Sequence, residues 1–527
     1  MASNDDFRDF YKETTLKQGN ECSKILAEFT TPTLENHPDI RFVQSGMNHI
    51  AVIAPRKDNI YYGFSVAGDP KETDMQMYVK KLIESGVNTA LNYGLTPIGF
   101  ADVIDASRAD VDLARLIGNV MAEESYRYKK QLGHKLAVLN GEYAHLKGVV
   151  TSDANMNLAM VCRVTDPIKV IQKQEFHSII PDQLVGFNPR GDFIYANSDG
   201  VGTKHLLYSL AELLGEFGYQ EHMAVIDGIE MQRADLVKIN ANAKMTINTL
   251  EHNGSLSVEK AQRFKKLAKQ IMAQDGGISI INYHDVGNNL RGYDDDMSAT
   301  NFSGSSLSTI SERNLSHLPK PVPGNYVMSF RAASASNPDE LGPDGWRSNG
   351  ISSLREIPFN KLGKDWYKTP EGKEILKYAI TPSDNFYTIF KRLFDEDVIS
   401  AGVHLSGGSY NEKLARYLAK ENLFLSLTAD QSDKYPLWPV SDIVKKVIDM
   451  SGMPPSSFYN KWVMSNPGFV FTDYPEAVTD IAKKYGYLTR KVGIVKAAIE
   501  AKDGRPAIRP GVSIRTYTGE DIFFDGT

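Results

Sequence analysis

A helix–strand–helix–strand order that occurs twice along the chain limits its fold more than any other feature. In the first occurrence, Lys71 to Gly94 carries Val79, Leu82, Ile83, Val87, Ala90 and Leu91 at helical spacing. Ile98 to Ile104 then reads as a strand, and Leu113, Leu116, Ile117, Val120 and Met121 line one face of a second helix. The strand Leu136 to Leu139 follows and runs into Asn140-Gly141-Glu142-Tyr143-Ala144. In the second occurrence, Ala224 to Ile239 is helical and Lys244 to Leu250 is strand-like. Val258 to Ala273 is a helix with Ala261, Phe264, Leu267, Ala268 and Ile271 on one face, and Ile278 to Tyr283 is a strand ending at His284-Asp285. The entries match as well: Ile60-Tyr61-Tyr62 reaches a Gly68-Asp69-Pro70-Lys71 turn as Ile194-Tyr195 reaches Asp199. The plainer reading is that any two such stretches look alike at this level. The shared turn chemistry favours two diverged copies of one α+β unit, offset by about 140 residues.

A chain of 527 residues exceeds a single core, so two to four domains are expected. With 42% hydrophobic and 24% charged residues, the composition is that of a globular protein. A net charge of −6 over this length argues against nucleic acid as the main partner, while leaving room for anionic small molecules in a locally basic pocket. The two cysteines, Cys22 and Cys162, exclude a disulfide framework or a cysteine-based zinc site and fit a reducing, cytoplasmic setting. Met1 to Lys12 is polar and acidic, unlike a signal peptide, and no apolar run reaches bilayer length. Arg291 to Gly324, rich in Gly, Ser, Asn, Asp and Pro, reads as a long loop or linker. Beyond it strands and helices alternate to about Glu500, and Val512 to Tyr517 and Ile522 to Phe524 close the chain as strands.

The chemistry concentrates in Asp199-Gly200-Val201-Gly202-Thr203-Lys204. Glycines let a backbone approach a phosphate, and successive N–H groups form an anion nest. The aspartate can hold Mg²⁺ and the lysine can offset phosphate charge. A strand (Asp192 to Ala196) leads in and a helix (His205 to Leu214) leads out. By itself the hexapeptide also reads as a β-turn with a solvated lysine. A second anion site is expected at Gly407-Gly408-Ser409, between the strand Val403 to Ser406 and the helix Glu412 to Ala419.

Several separated motifs resemble the aminoimidazole ribonucleotide (AIR) synthetase family and its ATP-binding superfamily. Asp199 to Lys204 matches the family's DGVGTK unchanged, Ala234-Asp235-Leu236 resembles its "NDL" helix end, and Gly141-Glu142-Tyr143-Ala144 its "GETA". Arg347-Ser348-Asn349-Gly350 is similar to "HSNG", Ile380-Thr381-Pro382-Ser383 to "LTPT", and Val403 to Gly408 to "HITGG". Trp438-Pro439-Val440, Met464 to Phe469 and Lys491-Val492-Gly493 resemble the closing motifs.

The resemblance implies an α+β, AIR-synthetase-like architecture. Two tandem N-terminal-type (A) units would form an internal pseudo-dimer, followed by one C-terminal-type (B) α/β unit. The implied divisions are an extension at 1–45, a degenerate first A unit at 46–170, a second A unit at 171–310 and the B unit at 311–527. The motifs are divided between the copies: the second has His284 where the glutamate is expected, and the first has Thr89 where the helix aspartate is expected.

The implied reaction is ATP- and Mg²⁺-dependent cyclisation of formylglycinamidine ribonucleotide to aminoimidazole ribonucleotide, through phosphoryl activation of the amide oxygen. The alternatives are a relative that phosphorylates a different amide or acid, and a nucleotide-binding pseudoenzyme. Asp199, Asp235 and Glu142 are the implied metal ligands, each with a solvated or merely structural acid as the plainer alternative. Asp199, Gly200, Gly202, Thr203, Lys204, Gly407 and Gly408 would cradle phosphates. Lys204, His404, Asn349 and Arg347 are the implied catalytic residues: Lys204 would bridge phosphate oxygens, Asn349 orient a substrate amide, His404 donate a hydrogen bond or shuttle a proton, and Arg347, which stands where the family has histidine, bind phosphate. The implied partners are ATP and a phosphoribosyl amide, with no nucleic acid and no membrane, in a monomer or homodimer.

Overall fold

The computed structural model describes residues 16–45, 48–54, 60–146, 149–165, 185–187, 189–218, 220–254, 256–293, 299–347, 349–499 and 507–526. Met1 to Lys12, Ser348 and the expected division at residue 171 lie outside them. The chain divides into two compact units. The first comprises residues 1–44, 49–233 and 241–315, and the second residues 45–48, 234–240 and 316–527.

Unit 1 holds two sheets. One contains β3 (Tyr61–Ala67), β4 (Leu95–Ala106), β5 (Ala137–His145), β6 (Ala154–Val164) and β7 (Val185–Phe187), in the order β5-β4-β6-β3-β7. The other contains β1 (Ile40–Ser45), β2 (Asn48–Ile53), β8 (Phe193–Gly200), β9 (Asn242–His252), β10 (Ile278–Asp285) and β11 (Thr300–Ile310), in the order β1-β2-β8-β11-β9-β10. Four strands of each sheet, β3 to β6 in one half and β8 to β11 in the other, follow one rule. The second and third strands of each half pair parallel, while the fourth lies antiparallel between the second and the first.

The helices between these strands arise from local signals. The helix α1 (Leu16–Leu34) comes first. Next, α2 (Met75–Asn92) starts where Asp74 accepts a hydrogen bond from Met77 N at 3.2 Å, and α3 (Val111–Arg127) where Asp110 accepts from Asp112 N and Leu113 N. In the second half, α4 (Lys204–Leu214) and α5 (Ala224–Ala234) precede β9, and α6 (Val258–Ala273) is capped by Ser257. Apolar residues at helical spacing, such as Val79, Leu82 and Ile83 of α2, bury against the outer face of the β3–β6 sheet with Phe100 and Met160. The sheets face each other through Ile98, Ala159 and Val161 on one side and Ile194, Met245 and Leu307 on the other.

β11 corrects the linker reading of Arg291 to Gly324. Thr300–Ile310 is buried along its whole length, between β8 and β9. Its composition of Ser, Thr, Asn and Gly suggested a loop, yet half of its hydroxyls find partners inside: Ser305 meets Ser198 at 2.7 Å, and Ser306 and Ser308 donate to the carbonyls of Gln232 and Tyr195, while those of Thr300, Ser303 and Thr309 are buried without a partner among the described residues. A buried polar strand is tolerated when its side chains are hydrogen-bonded.

Unit 2 also holds two four-stranded sheets. One takes β12 (Tyr326–Ala332), β13 (Ala401–His404), β15 (Gly468–Thr472) and β16 (Tyr487–Ile494) in the order β13-β15-β12-β16. The other takes β14 (Leu423–Thr428), β17 (Lys496–Ala497), β18 (Gly511–Arg515) and β19 (Asp521–Phe524) in the order β17-β14-β18-β19. A short 3₁₀ turn, Asp235–Ile239, belongs to this unit and buries Leu236, Val237 and Ile239. No described helix is long and apolar enough to cross a membrane.

Candidate functional site

In unit 1 the hexapeptide closes β8 and opens α4, as the sequence implied. Asp199 Oδ1 accepts from Gly200 N at 2.8 Å, a bond that folds the carboxylate over the start of the turn. Gly202 has φ +63, in the left-handed region, and no atom lies within 4 Å of where a Cβ would stand. The backbone there is open to a ligand approaching from outside. Thr203 precedes α4 without a side-chain capping bond to the helix.

Lys204 departs from both readings made of it. It is fully buried, with Nζ 3.0 Å from Asp227 Oδ1 and 5.5 Å from the Tyr208 ring, while Tyr208 Oη donates to Asp227 Oδ2 at 2.5 Å. The lysine is neither a solvated surface residue nor aimed outward at a phosphate: its ammonium is held by an interior carboxylate. The lysine sits in the first turn of α4, and burying its charge there requires such a partner.

Beneath the turn runs a polar network that sequence reasoning did not find. Gln232 Nε2 donates to Asn248 Oδ1 at 2.9 Å, and Asn197 Nδ2 donates to the Gln232 carbonyl at 3.0 Å. Asn140 of β5 donates to the Ala196 carbonyl at 3.1 Å and to Asn197 Oδ1 at 3.3 Å. Glu142 lies two residues beyond Asn140, and Asp199 two beyond Asn197. Strand alternation therefore carries both acids on the same sides as the Asn140–Asn197 pair. Glu142 is half-buried. Asp102 of β4 was also missed: it is buried, and Gly141 leaves it room, because a Cβ there would stand 2.7 Å from Asp102 Oδ1.

In unit 2, Asp235 opens its 3₁₀ turn with Lys238 Nζ 2.5 Å from Oδ1, and its side chain is 33% exposed. Partial burial works to raise the carboxyl, but Lys238, Lys413 and His404 outweigh it and hold the group well below the usual carboxylate range. His404 ends β13, buried against Phe386 at 5.4 Å between ring centroids, with Nε2 unpartnered. Burial pushes its pKa down to about 3; Asp235 opposes this, and Lys413, Lys238 and Arg347 add to it. Burial thus favours the neutral imidazole, which can donate or accept a hydrogen bond.

Arg347, expected to bind phosphate, has interior partners. It is buried at φ +58, with Nε 3.0 Å from Asp384 Oδ2 and Nη1 donating to the Pro382 carbonyl at 3.1 Å, so its charge is already matched inside the protein. Asn349 is fully buried, and both polar atoms of its side chain lack a hydrogen-bond partner. Among the described residues nothing serves these atoms, so a water, an ion or a polar ligand is called for there. At the glycine pair, nothing stands within 4 Å of a Cβ on Gly407, but a Cβ on Gly408, at φ +76, would meet the Glu412 side chain. A carboxylate thus stands beside the expected anion site. The helix there is a six-residue π-turn, Tyr410–Ala415, followed by Arg416–Lys420. Among the described residues no group of three His, Cys, Asp or Glu side chains is arranged to hold a metal ion.

No family model matches the chain. Over 163 residues it is 26% identical to a phosphoribosylformylglycinamidine cyclo-ligase of Clostridium perfringens, covering 30% of this chain and 45% of that protein. The chain thus spans less than half the length of the curated relatives it matches. Among solved structures, it is 11% identical to phosphoribosylformylglycinamidine synthase II of Thermotoga maritima, with TM-score 0.37, over 63% of this chain and 43% of that one. A hydrogenase maturation protein solved in complex with ATP is 12% identical, with TM-score 0.38, over 63% and 84%. Likenesses of that size do not fix a whole fold. The sequence matches support a relationship with the AIR-synthetase-like superfamily and not with one member of it.

Proposed function

We propose that this chain is an ATP- and Mg²⁺-using enzyme of the AIR-synthetase-like superfamily that transfers a phosphoryl group to an amide or acid oxygen. One observation carries this reading. The unchanged DGVGTK hexapeptide stands at the end of a buried strand and the start of a helix, with its carboxylate folded over the turn and the Gly202 backbone open. Bound ATP would supply the phosphoryl group, with Mg²⁺ offsetting its charge. Asp199 suits the hard-cation role as a carboxylate at the turn, and Glu142 approaches from the other half of unit 1. Gly200, Gly202 and Thr203 would place backbone N–H groups on phosphate oxygens. In the acceptor site Asn349 would bind the substrate amide, and neutral His404 would orient it. Asp235 serves as a further metal candidate, its charge secured by the lysines around it.

The specific reaction we favour is cyclisation of formylglycinamidine ribonucleotide to aminoimidazole ribonucleotide. We read the two halves of unit 1, with their shared strand order, as duplicated A-type units paired within one chain, and 311–527 as the B-type unit. A different acceptor is favoured by one feature: Asp384 neutralises Arg347, so no free guanidinium awaits a ribose phosphate at that position.

The test is turnover with formylglycinamidine ribonucleotide, ATP and Mg²⁺, reading the aminoimidazole product by mass spectrometry, with Asp199→Asn as control. Product from the unmutated chain alone is expected. Bound ATP without product would sink the cyclo-ligase step and move the search to other amides and acids. Absence of ATP binding would sink the nucleotide reading altogether.

A further inference from the structure

The facing surfaces of the two sheets in unit 1 change character along their length. Beyond the apolar end, strand alternation brings Ser65 and Asn157 opposite Thr249 and Ser303, and Ser65 Oγ meets Thr249 Oγ1 at 2.7 Å. Two carboxylic side chains stand at the far end, Asp105 of β4 and Glu251 of β9, each 1% exposed. Their positions are equivalent. Each lies on the second strand of its half, directly opposite an asparagine on the fourth: Asp105 faces Asn155, and Glu251 faces Asn301. The hydrogen bonds then cross between halves. Asn301 Nδ2 donates to Asp105 Oδ2 at 2.7 Å and to Glu251 Oε2 at 3.1 Å, and Asn157 Nδ2 donates to Glu251 Oε1 at 3.1 Å.

Among the described residues, no lysine, arginine or histidine pairs with either carboxyl. Burial, and then Glu251, pushes the Asp105 carboxyl up to about 8, and burial raises Glu251 as well. Two like charges this deep require a proton or a cation between them. One shared proton would leave acceptors unserved. The amide oxygens of Asn157 and Asn301, in residues 4% and 1% exposed, have no hydrogen-bond partner, although both amides lie against Glu251. Both amides present their nitrogens to the carboxyls; turned end for end, each would present its oxygen at the same point, and two carboxylates with two amide oxygens are the ligand chemistry of a hard cation.

We propose that Asp105, Glu251 and the amide oxygens of Asn157 and Asn301 form an interior site for a divalent hard cation, Mg²⁺ or Ca²⁺, that joins the two halves of unit 1. The charge of Asp199 acts on Asp105, but the site shares no ligand with that turn and needs no nucleotide, so it stands whether or not the proposed reaction does.

The experiment uses the full chain, stripped with chelator, without ATP. Bound metal is measured by elemental mass spectrometry, and thermal unfolding is followed during Mg²⁺ and Ca²⁺ titrations. One retained equivalent and a rise in Tm with added cation are expected. Glu251→Gln should weaken the cation at least tenfold and abolish the Tm rise, whereas Asp199→Asn should keep it. Should Glu251→Gln fail to fold, Asn157→Leu, which leaves the charge unchanged, must weaken the cation response. The site is refuted if the stripped protein responds to neither cation, the outcome a shared proton predicts. It is equally refuted if the response survives in Glu251→Gln or Asn157→Leu, or is lost only in Asp199→Asn.

Discussion

Asp102 and Lys204 are the residues whose burial has the sharpest consequences. Burial pushes the Asp102 carboxyl up to about 8. In the unfolded chain an aspartate ionises near its ordinary value of about 4. Between these values the folded state holds a proton that the unfolded state has released, so stability falls as pH rises through the window. Asp102→Asn should remove that contribution, which reaches at most about 1.4 kcal/mol per pH unit. Denaturant unfolding of both proteins at pH 5 and pH 8 measures it, and equal pH slopes would refute the assignment. Lys204→Met should destabilise unit 1 by about 3 to 5 kcal/mol, because it strands the Asp227 carboxylate in the interior. Lys204→Met combined with Asp227→Asn should recover part of the loss. A double variant no more stable than the single one would show that Lys204 acts elsewhere, as the phosphate role implies.

At the scale of elements, what the sequence disclosed followed from the strength of each local signal. Val258–Ala273 is the helix that its apolar spacing describes, beginning after a serine cap, and the DGVGTK turn joins strand to helix as its glycines demand. Ala154–Val164 was passed over because it is buried along most of its length and shows no alternation to read. Thr300–Ile310 was mistaken for a linker because its polar composition hides a strand whose hydrogen-bond partners lie on elements distant in sequence. The candidate site divided along the same line. The turn was visible as a local motif, but the Lys204–Asp227 pair, the Asp384 partner of Arg347 and the burial of His404 exist only once separate elements meet. The acids at Asp102 and Asp105 left one trace, a charge inside and another directly after the otherwise apolar run from Ile98 to Ile104. β11 also supplies a test. A Cβ on Gly304 would lie 2.7 Å from Asn248 Cα and closer still to the Ile247 carbonyl, both main-chain atoms of the neighbouring strand. Gly304→Ala should therefore cost several kcal/mol, on the order of the larger overpacking penalties. Gly276→Ala, at φ +68 with nothing nearby, should cost only about 1 kcal/mol. Chemical denaturation of the two variants ranks them, and comparable losses would contradict this packing of β11.

At the scale of the molecule, the two units are not successive stretches of chain. Residues 234–240 leave unit 1 between α5 and β9 and belong to unit 2, where Leu236, Val237 and Ile239 are buried. The fit is close: a Cβ on Gly402 of β13 would come within 3.0 Å of Val237 Cγ1, so the strand carries glycine where the turn packs. Asp235 and Lys238 ride on the same turn and set the charge around His404. Cutting the chain at residue 316 would therefore remove three buried apolar side chains from the C-terminal part. Each is worth about 1.5 to 3 kcal/mol when fully buried, a large share of the stability of an ordinary domain. Residues 316–527 expressed alone should unfold at a lower temperature than the same fragment preceded by residues 234–240 on a flexible linker, and should bind a hydrophobic dye more strongly. The tethered segment should also lose its effect when Val237 is changed to Asp. If the two fragments melted together, the turn would be a passenger on unit 2, and the charge balance at His404 would have to be built without Asp235.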